Sequence, residues 1–465
     1  MAGIGFQLAR MAREGGVGGI VGAAVHGAAI SAGPWLITAA AVTLLEQWSR
    51  GHLGGTGVAL VQTVLVYAFS LSAVIAAPIG ILATRLVADA LYAQDPARVP
   101  AIVGPAFAIG GGLALIVGAA LFGGLVGLPF WTALLAAMIF ALLAQIWIAA
   151  PLLTAVRRYG AVLAAYLSGV AVTAVAIALP ADLDGWQVLL AVALGLVLTL
   201  AVLVRILLRR FPALPTPLPP ALIAWRQALL VGGAGLMGVV AIWIDKWMLW
   251  FGSQSIVALA PLQLNPVNDL GSFLGLLTIV PGLTLMLIVT ETRFDRAFGD
   301  LLARCTGTSR LTRIDEARGQ LIRTMIDSLR LLVIAQMIVA ATAWVLAVPF
   351  FDLVHGDIRA IFAFRQTAFG AVFHLIAIAC TVALAYFNMF GRILAIWSVF
   401  AATSAVATWL LWDAGFGVFG WGYLSGAVMA ASVGIALVAN ASVNLIFMLF
   451  VGNNPAVVGP GGRLL

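Results

Sequence analysis

Asp245-Lys246, set between Trp243 and Trp247, places charge inside a long apolar run, and Lys246 is the only lysine in the chain. An ionised side chain within a bilayer is costly and usually marks a pathway or coupling site. Counting from Arg226 puts Asp245 about 29 Å along a helix, near its outer end. There a lysine can snorkel, and tryptophans belong to the interfacial belt. Two readings stay open: an interfacial anchor, or a vestibule or coupling role. Neighbouring helical residues point about 100° apart, so a direct Asp245–Lys246 pair is not expected.

Asn265, Asn268 and Asp269 open the next apolar run. Asp269 suits a helix start, capping it and gaining from the positive end of the dipole; the alternative is a proton or cation site shared with Asp245. His26 and His374 are lone imidazoles, read as hydrogen-bonded packing. No Walker A loop, GxSxG, HExxH or His/Cys ligand cluster occurs, and a membrane enzyme would need convergent acid–base groups. Catalytic, cofactor-binding and metal-ligating residues are therefore not assigned, and the chain is read as a non-enzyme.

The elements that must position these residues follow from composition. The 465 residues are 63% hydrophobic and 9% charged, with 50 Gly, and the mean hydropathy is +1.13. Soluble domains carry roughly 25% charged residues, so a soluble enzyme, a disordered chain and a disulfide scaffold are excluded. The fold class is an all-α polytopic membrane protein. Cys305 and Cys380 form no CxxC. The first apolar run is too long for a signal-peptide core and reads as a retained span.

Apolar runs predict about 12 transmembrane helices near 19–46, 57–84, 100–126, 128–154, 159–180, 186–207, 221–251, 266–290, 326–350, 366–388, 391–413 and 424–451. Each can cross a hydrocarbon core of about 30 Å. With the N-terminus inside, 20 arginines fall on the cytoplasmic side and three outside, Arg50, Arg359 and Arg365. This positive-inside bias places both termini in the cytoplasm, and it accounts for the basic charge without a nucleic-acid partner.

Residues 212–220 contain five prolines, which cannot continue a helix. They divide the chain into a cytoplasmic N-terminal amphipathic segment (1–18), an N-lobe (19–207), a linker (208–220), a C-lobe (221–451) and a cytoplasmic tail (452–465). The lobes share a faint repeat. Each second span carries a mid-membrane proline, Pro78 and Pro281, and each first span is interrupted by small residues, Ser31-Ala32-Gly33-Pro34 before Trp35 and Gly232-Gly233-Ala234-Gly235. Paired broken helices point to a transporter pathway. Pro34, Trp35, Trp247, Asn268 and Pro281 therefore join Asp245, Lys246 and Asp269 as pathway or coupling candidates.

Residues 291–330 hold eight arginines and six acids. The amphipathic loop 291–325 reads either as a helix on the inner leaflet or as a docking platform presenting Arg293, Arg296, Arg304, Arg313 and Arg318.

The opening Met1-Ala2-Gly3-Ile4-Gly5-Phe6 and Ser31-Ala32-Gly33-Pro34-Trp35 resemble the PelG family, the inner-membrane transporters of the Pel exopolysaccharide system. So do Asp245-Lys246-Trp247, Asn268-Asp269, Ser272-Phe273, Thr278-Ile279-Val280-Pro281-Gly282 and Glu291-Thr292-Arg293-Phe294-Asp295, and the ending Leu445-Ile446-Phe447-Met448-Leu449-Phe450 with Asn454-Pro455. The resemblance runs nearly end to end. It implies the multidrug and polysaccharide flippase superfamily, with two six-helix lobes around a central cavity. It also implies export of a hexosamine-rich polysaccharide across a Gram-negative inner membrane. The implied partners are membrane lipids, a cytosolic glycosyltransferase and companion membrane subunits, including a cyclic di-GMP receptor. The stretches 386–392 and 449–452 are less polar than that family's pattern. A neutral sugar polymer wants aromatic faces and no deep charge well, which suits 14 Trp and nearly charge-free spans. Two alternatives remain: a cation-coupled small-molecule antiporter of the same superfamily, and a non-conducting scaffold for the synthase.

Overall fold

The computed structural model describes residues 10–11, 14, 16–155, 159–179, 182–211, 225–353, 356–448 and 450. The proline-rich segment 212–220 and the tail 452–465 lie outside the described residues, as does most of 1–18. Among the described residues, eleven helices are long and apolar enough to cross a membrane. The remaining apolar run, the first, is split into α1 (Gly16–Ser31) and α2 (Gly33–His52) by a turn at Ala32. Pro34 lies in the first turn of α2, where its missing N–H costs nothing.

The chain divides into two compact units. One, the N-unit, is Gly33–Pro266. It holds α2, α3 (Gly55–Tyr92), α4 (Val99–Ala119, continued by a π turn at Ala120–Leu125), α5 (Phe130–Ala155), α6 (Tyr159–Ala178), α7 (Gly185–Arg210) and α8 (Trp225–Leu249). α5 packs against α3, α4 and α7, and α8 lies along α3. The tight connection expected at Gly127-Leu128 is present. Gly127 has φ +71°, a conformation glycine adopts without penalty, and Leu128 N donates to Phe122 O at 3.1 Å. After α8 comes a feature an all-α reading omits, an antiparallel hairpin of β1 (Ile256–Leu259) and β2 (Leu262–Leu264).

The other unit, the C-unit, comprises Val267–Leu465 together with Met1–Ala32. It holds α1, α9 (Pro266–Leu277, whose first residue is the boundary), α10 (Val280–Val289), α11 (Asp295–Thr306), α12 (Leu311–Leu353), α13 (Ala360–Tyr386), α14 (Phe390–Leu410) and α15 (Trp421–Val443). α1 packs against α10, and α13 packs against both α12 and α15. The lobe boundaries 19–207 and 221–451 thus differ from this partition. α1 belongs with the second half of the sequence and α8 with the first, because each packs on a helix distant in sequence rather than on its neighbour along the chain.

The paired interruptions are also corrected. Gly232–Gly235 does not break α8, which is continuous. A Cβ at Gly235 would stand 2.8 Å from Ile81 and 2.9 Å from Ala77 O, so the small residues admit close approach of α3. Pro78 sits inside the unbroken α3. Of these positions, the ones that interrupt a span are Ala32, before Pro34, and Thr278-Ile279, before Pro281.

The expected amphipathic loop 291–325 is a helical hairpin. A π turn (Thr290–Phe294) leads into α11, and α12 is a single helix of 43 residues, about 65 Å long and roughly twice what a bilayer core requires. The apolar face of α11 is used within the protein: Phe294, Leu301, Ile314, Ala317, Leu321 and Leu445 form one buried cluster. That replaces the inner-leaflet reading for α11.

Candidate functional site

In the N-unit, Asp245 and Lys246 are both buried, with side-chain exposures of 2% and 5%. Lys246 Nζ lies 3.0 and 3.1 Å from the two Asp245 carboxylate oxygens and donates to Ile242 O at 3.0 Å. The expectation that adjacent residues would not pair is wrong here. The Cα–Cβ directions diverge, but the four-carbon lysine stem folds back along the helix to span the angle. The anchor reading is corrected too, since a snorkelling lysine would end in solvent. A buried ion pair is a poor stabilising device, because desolvation offsets much of the Coulombic attraction. It does make this part of α8 electrically neutral.

On the same stretch of α8, tryptophans join an aromatic group built from three helices. Trp243 and Trp247, one turn apart on α8, stack at 6.4 Å, and Trp250 follows the helix end. α3 contributes Tyr67, 4.6 Å from Trp250, and Phe69, 6.3 Å from Trp243; α5 contributes Trp147, 5.0 Å from Phe69. Tyr67 Oη donates to Gln263 O at 2.8 Å, tying the hairpin to α3. The indole Nε1 atoms of Trp147 and Trp247 are enclosed and have no acceptor among the described residues. Sequence reasoning selected Trp247 but missed Tyr67, Phe69 and Trp147. Their signal, aromatics well inside predicted spans, was too common to single out.

Pro34 and Trp35 open α2 in the same unit, half-buried. Thr38 Oγ1 donates to Pro34 O at 2.8 Å, which satisfies a carbonyl in the first turn.

The other pathway candidates fall in the C-unit. α9 begins at Pro266, so Asn265 and not Asp269 precedes the helix; Asp269 is its fourth residue, still within the first turn. Asn265 Nδ2 donates to Leu249 O at 3.4 Å in the N-unit. Asn268 is fully buried and accepts from Ser272 Oγ at 3.3 Å. Asp245 and Asp269 belong to different units.

Pro281 is in the first turn of α10, directly after the break. That break leaves Thr278 O without a helical partner, and Gln336 of α12 supplies one: its Nε2 donates at 2.9 Å. Gln336 is fully buried, and a Cβ on Gly282 would collide with its amide. This polar clamp was also missed. His374 Nδ1 meets Tyr423 Oη at 2.6 Å among the edges of Trp397 and Phe400, a packed and hydrogen-bonded histidine.

Arg304 and Arg318, among the docking candidates, are tied down. Arg304 pairs with Asp300 at 3.1 Å and donates to Arg313 O; Arg318 pairs with Asp315 at 2.8 Å and donates to Val443 O. The Arg304–Arg313 bond ties the two arms of the hairpin together, and the Arg318–Val443 bond ties α12 to the end of α15. Arg313 is exposed, and Arg293 and Arg296 line a cleft.

Broken apolar helices around buried polar groups define a membrane transporter, and the backbone has known counterparts. A MATE protein in the bent conformation is similar over 97% of this chain and all of its own, with TM-score 0.68 and 14% identity. An outward-facing multidrug resistance MATE transporter of the MOP superfamily matches with TM-score 0.62 and 17% identity over 91% of this chain and 96% of its own. A MOP superfamily transporter from Pyrococcus furiosus Vc1 gives 0.60 and 15% over the same shares. At these identities the likeness concerns the fold. Comparison with curated proteins finds no match. The family model of PelG, "Putative exopolysaccharide Exporter (EPS-E)", covers residues 1–450. The chain belongs to the PelG family.

Proposed function

We propose that this protein moves a nascent hexosamine-rich, Pel-like exopolysaccharide from the cytoplasm to the periplasm across a bacterial inner membrane. It works beside a cytosolic glycosyltransferase and companion membrane subunits that include a cyclic di-GMP receptor. Membership of an exporter family over nearly the whole chain carries this reading. The arginine partition supports an orientation with both termini, α11 and the first turns of α12 in the cytoplasm.

The N-unit aromatic group supports the choice of cargo. Sugar rings stack on aromatic faces, and a sugar hydroxyl is an acceptor for the N–H groups of Trp147 and Trp247. The self-neutralised Asp245–Lys246 pair lets an uncharged polymer pass without a charge well. The same pair speaks against the antiporter alternative, which wants an acid available to a cation.

The test is co-reconstitution of the protein and the candidate synthase in vesicles, scoring polymer that becomes protected in the lumen. Lumenal polymer that depends on both proteins is expected. Active synthesis with no protected polymer would overturn transport and leave the scaffold role.

A further inference from the structure

α12 is longer than one membrane crossing needs. Its charge-free stretch 331–351 measures about 31 Å and by itself spans a hydrocarbon core of about 30 Å. Leu311, the first residue of α12, therefore stands about 30 Å along the helix beyond Leu331. α11 packs along this projecting arm through the buried cluster that holds Phe294, Leu301, Ile314, Ala317 and Leu321. At the tip Arg304 donates to Arg313 O at 3.2 Å. The hairpin is a post with a small core of its own.

Residues 301–314 hold Arg304, Arg310 and Arg313 and no acid. Arg304 is paired with Asp300. Arg310 and Arg313 are exposed and enter no ion pair among the described residues. Leu311, between them in sequence, is 65% exposed, and Leu302, near the end of α11, is 38% exposed. One exposed leucine is ordinary. Two of them on a tip that also carries two unmatched cations supply the apolar anchor and charged rim of a protein interface.

Other occupants fit less well. The headgroup layer reaches only about 6 Å past the core, and charge is screened within about 8 Å. Even at a tilt of about 40° the start of α12 stays roughly 23 Å from the core, clear of the inner leaflet. Segments 1–9 and 451–465 contain no acidic residue to complement the tip, and a second copy would bring the same positive charge to it. A nucleic acid would meet the arginines and leave the leucines in water.

We propose that the α11–α12 tip docks a cytosolic protein whose surface offers an apolar pocket with an acidic rim. Leu311 fills the pocket, and Arg310 and Arg313 meet the rim. Resting on the transport reading above, that protein is the glycosyltransferase synthase.

The test is biolayer interferometry of the purified candidate synthase against the full-length protein in phosphatidylcholine nanodiscs, whose lipid carries no net charge. Binding of the parent is expected. Arg310→Glu with Arg313→Glu should weaken it about tenfold at about 50 mM salt and much less at about 500 mM, because rim charges act through a screened field. Leu311→Asp should weaken it at both salt concentrations, since an anchor is lost. Arg323→Glu, exposed on α12 about 18 Å from Leu311, should leave binding unchanged. These side chains are exposed, so every variant should keep the parental Tm. No binding of an active synthase, equal binding by parent and tip variants, an equal loss with Arg323→Glu, or loss on nuclease treatment each overturns the docking surface. Tip-dependent binding without protected polymer in vesicles would overturn transport and leave this surface standing. Protected polymer with binding indifferent to the tip would overturn the surface alone.

Discussion

Gln336 Nε2 donates to Thr278 O at 2.9 Å across 58 positions of sequence, binding the spanning helix α12 to the break between α9 and α10. Broken helices are tolerated in a membrane only when something else satisfies the freed backbone groups. Here one amide does so from a neighbouring helix. Gln336→Leu should cost roughly 1–3 kcal/mol, the penalty for a buried carbonyl without a donor. Thermal unfolding of the detergent-purified variant, followed by tryptophan fluorescence, should show a lowered Tm. An unchanged Tm would mean that the break is held by packing.

The Asp245–Lys246 pair predicts a non-additive mutant cycle. Asp245→Asn or Lys246→Met alone strands a buried charge and should destabilise by about 3–5 kcal/mol. Together they remove both charges, and the double variant should be more stable than either single one. Single variants as stable as the parent would show that the pair is solvated.

The aromatic group separates ring from N–H. Trp147→Phe and Trp247→Phe keep apolar area and remove the enclosed donors, so Tm should hold or rise by up to about 1 kcal/mol equivalent. Polymer export should fall, by about tenfold if each N–H bonds the cargo. Full export by the double Phe variant would dismiss the indoles as ligands.

Asp357 and Arg359 give a pH prediction outside the spans. The Arg359 guanidinium, hydrogen-bonded to the Asp357 carboxylate at 2.6–3.1 Å, holds that carboxylate below its ordinary pKa. A lowered folded-state pKa means that the unfolded chain takes up the proton first. The pair's contribution is thus present above the ordinary aspartate range and lost as pH falls through the depressed value. Amide-exchange protection at 359–362, taken relative to the intrinsic rate at each pH, should fall on acidification, and Asp357→Asn should abolish that dependence. The pair is exposed, so global stability should barely move.

Much of this molecule was legible in its sequence. The apolar runs at 57–84, 100–126 and 186–207 reappear as α3, α4 and α7 within a turn or two at most ends. The family blocks around Asp245 and Glu291 identified an exporter family that matches residues 1–450. Hydropathy and charge bias are local sums of each side chain's preference for lipid or water, so no knowledge of packing is needed to read them. The tertiary structure decided what depends on contacts between distant segments. It paired Gly235 with Ala77, which puts α8 in the unit of α3, and it placed α1 with α10. It folded the Lys246 stem onto Asp245, set Phe69 against Trp243 and Trp147 and Tyr67 against Trp250, and aimed Gln336 at Thr278. Glycine and proline look alike in sequence whether they break a helix, as at Ala32-Gly33-Pro34, or admit a neighbour, as at Gly235. Only the helix on the other side distinguishes the two.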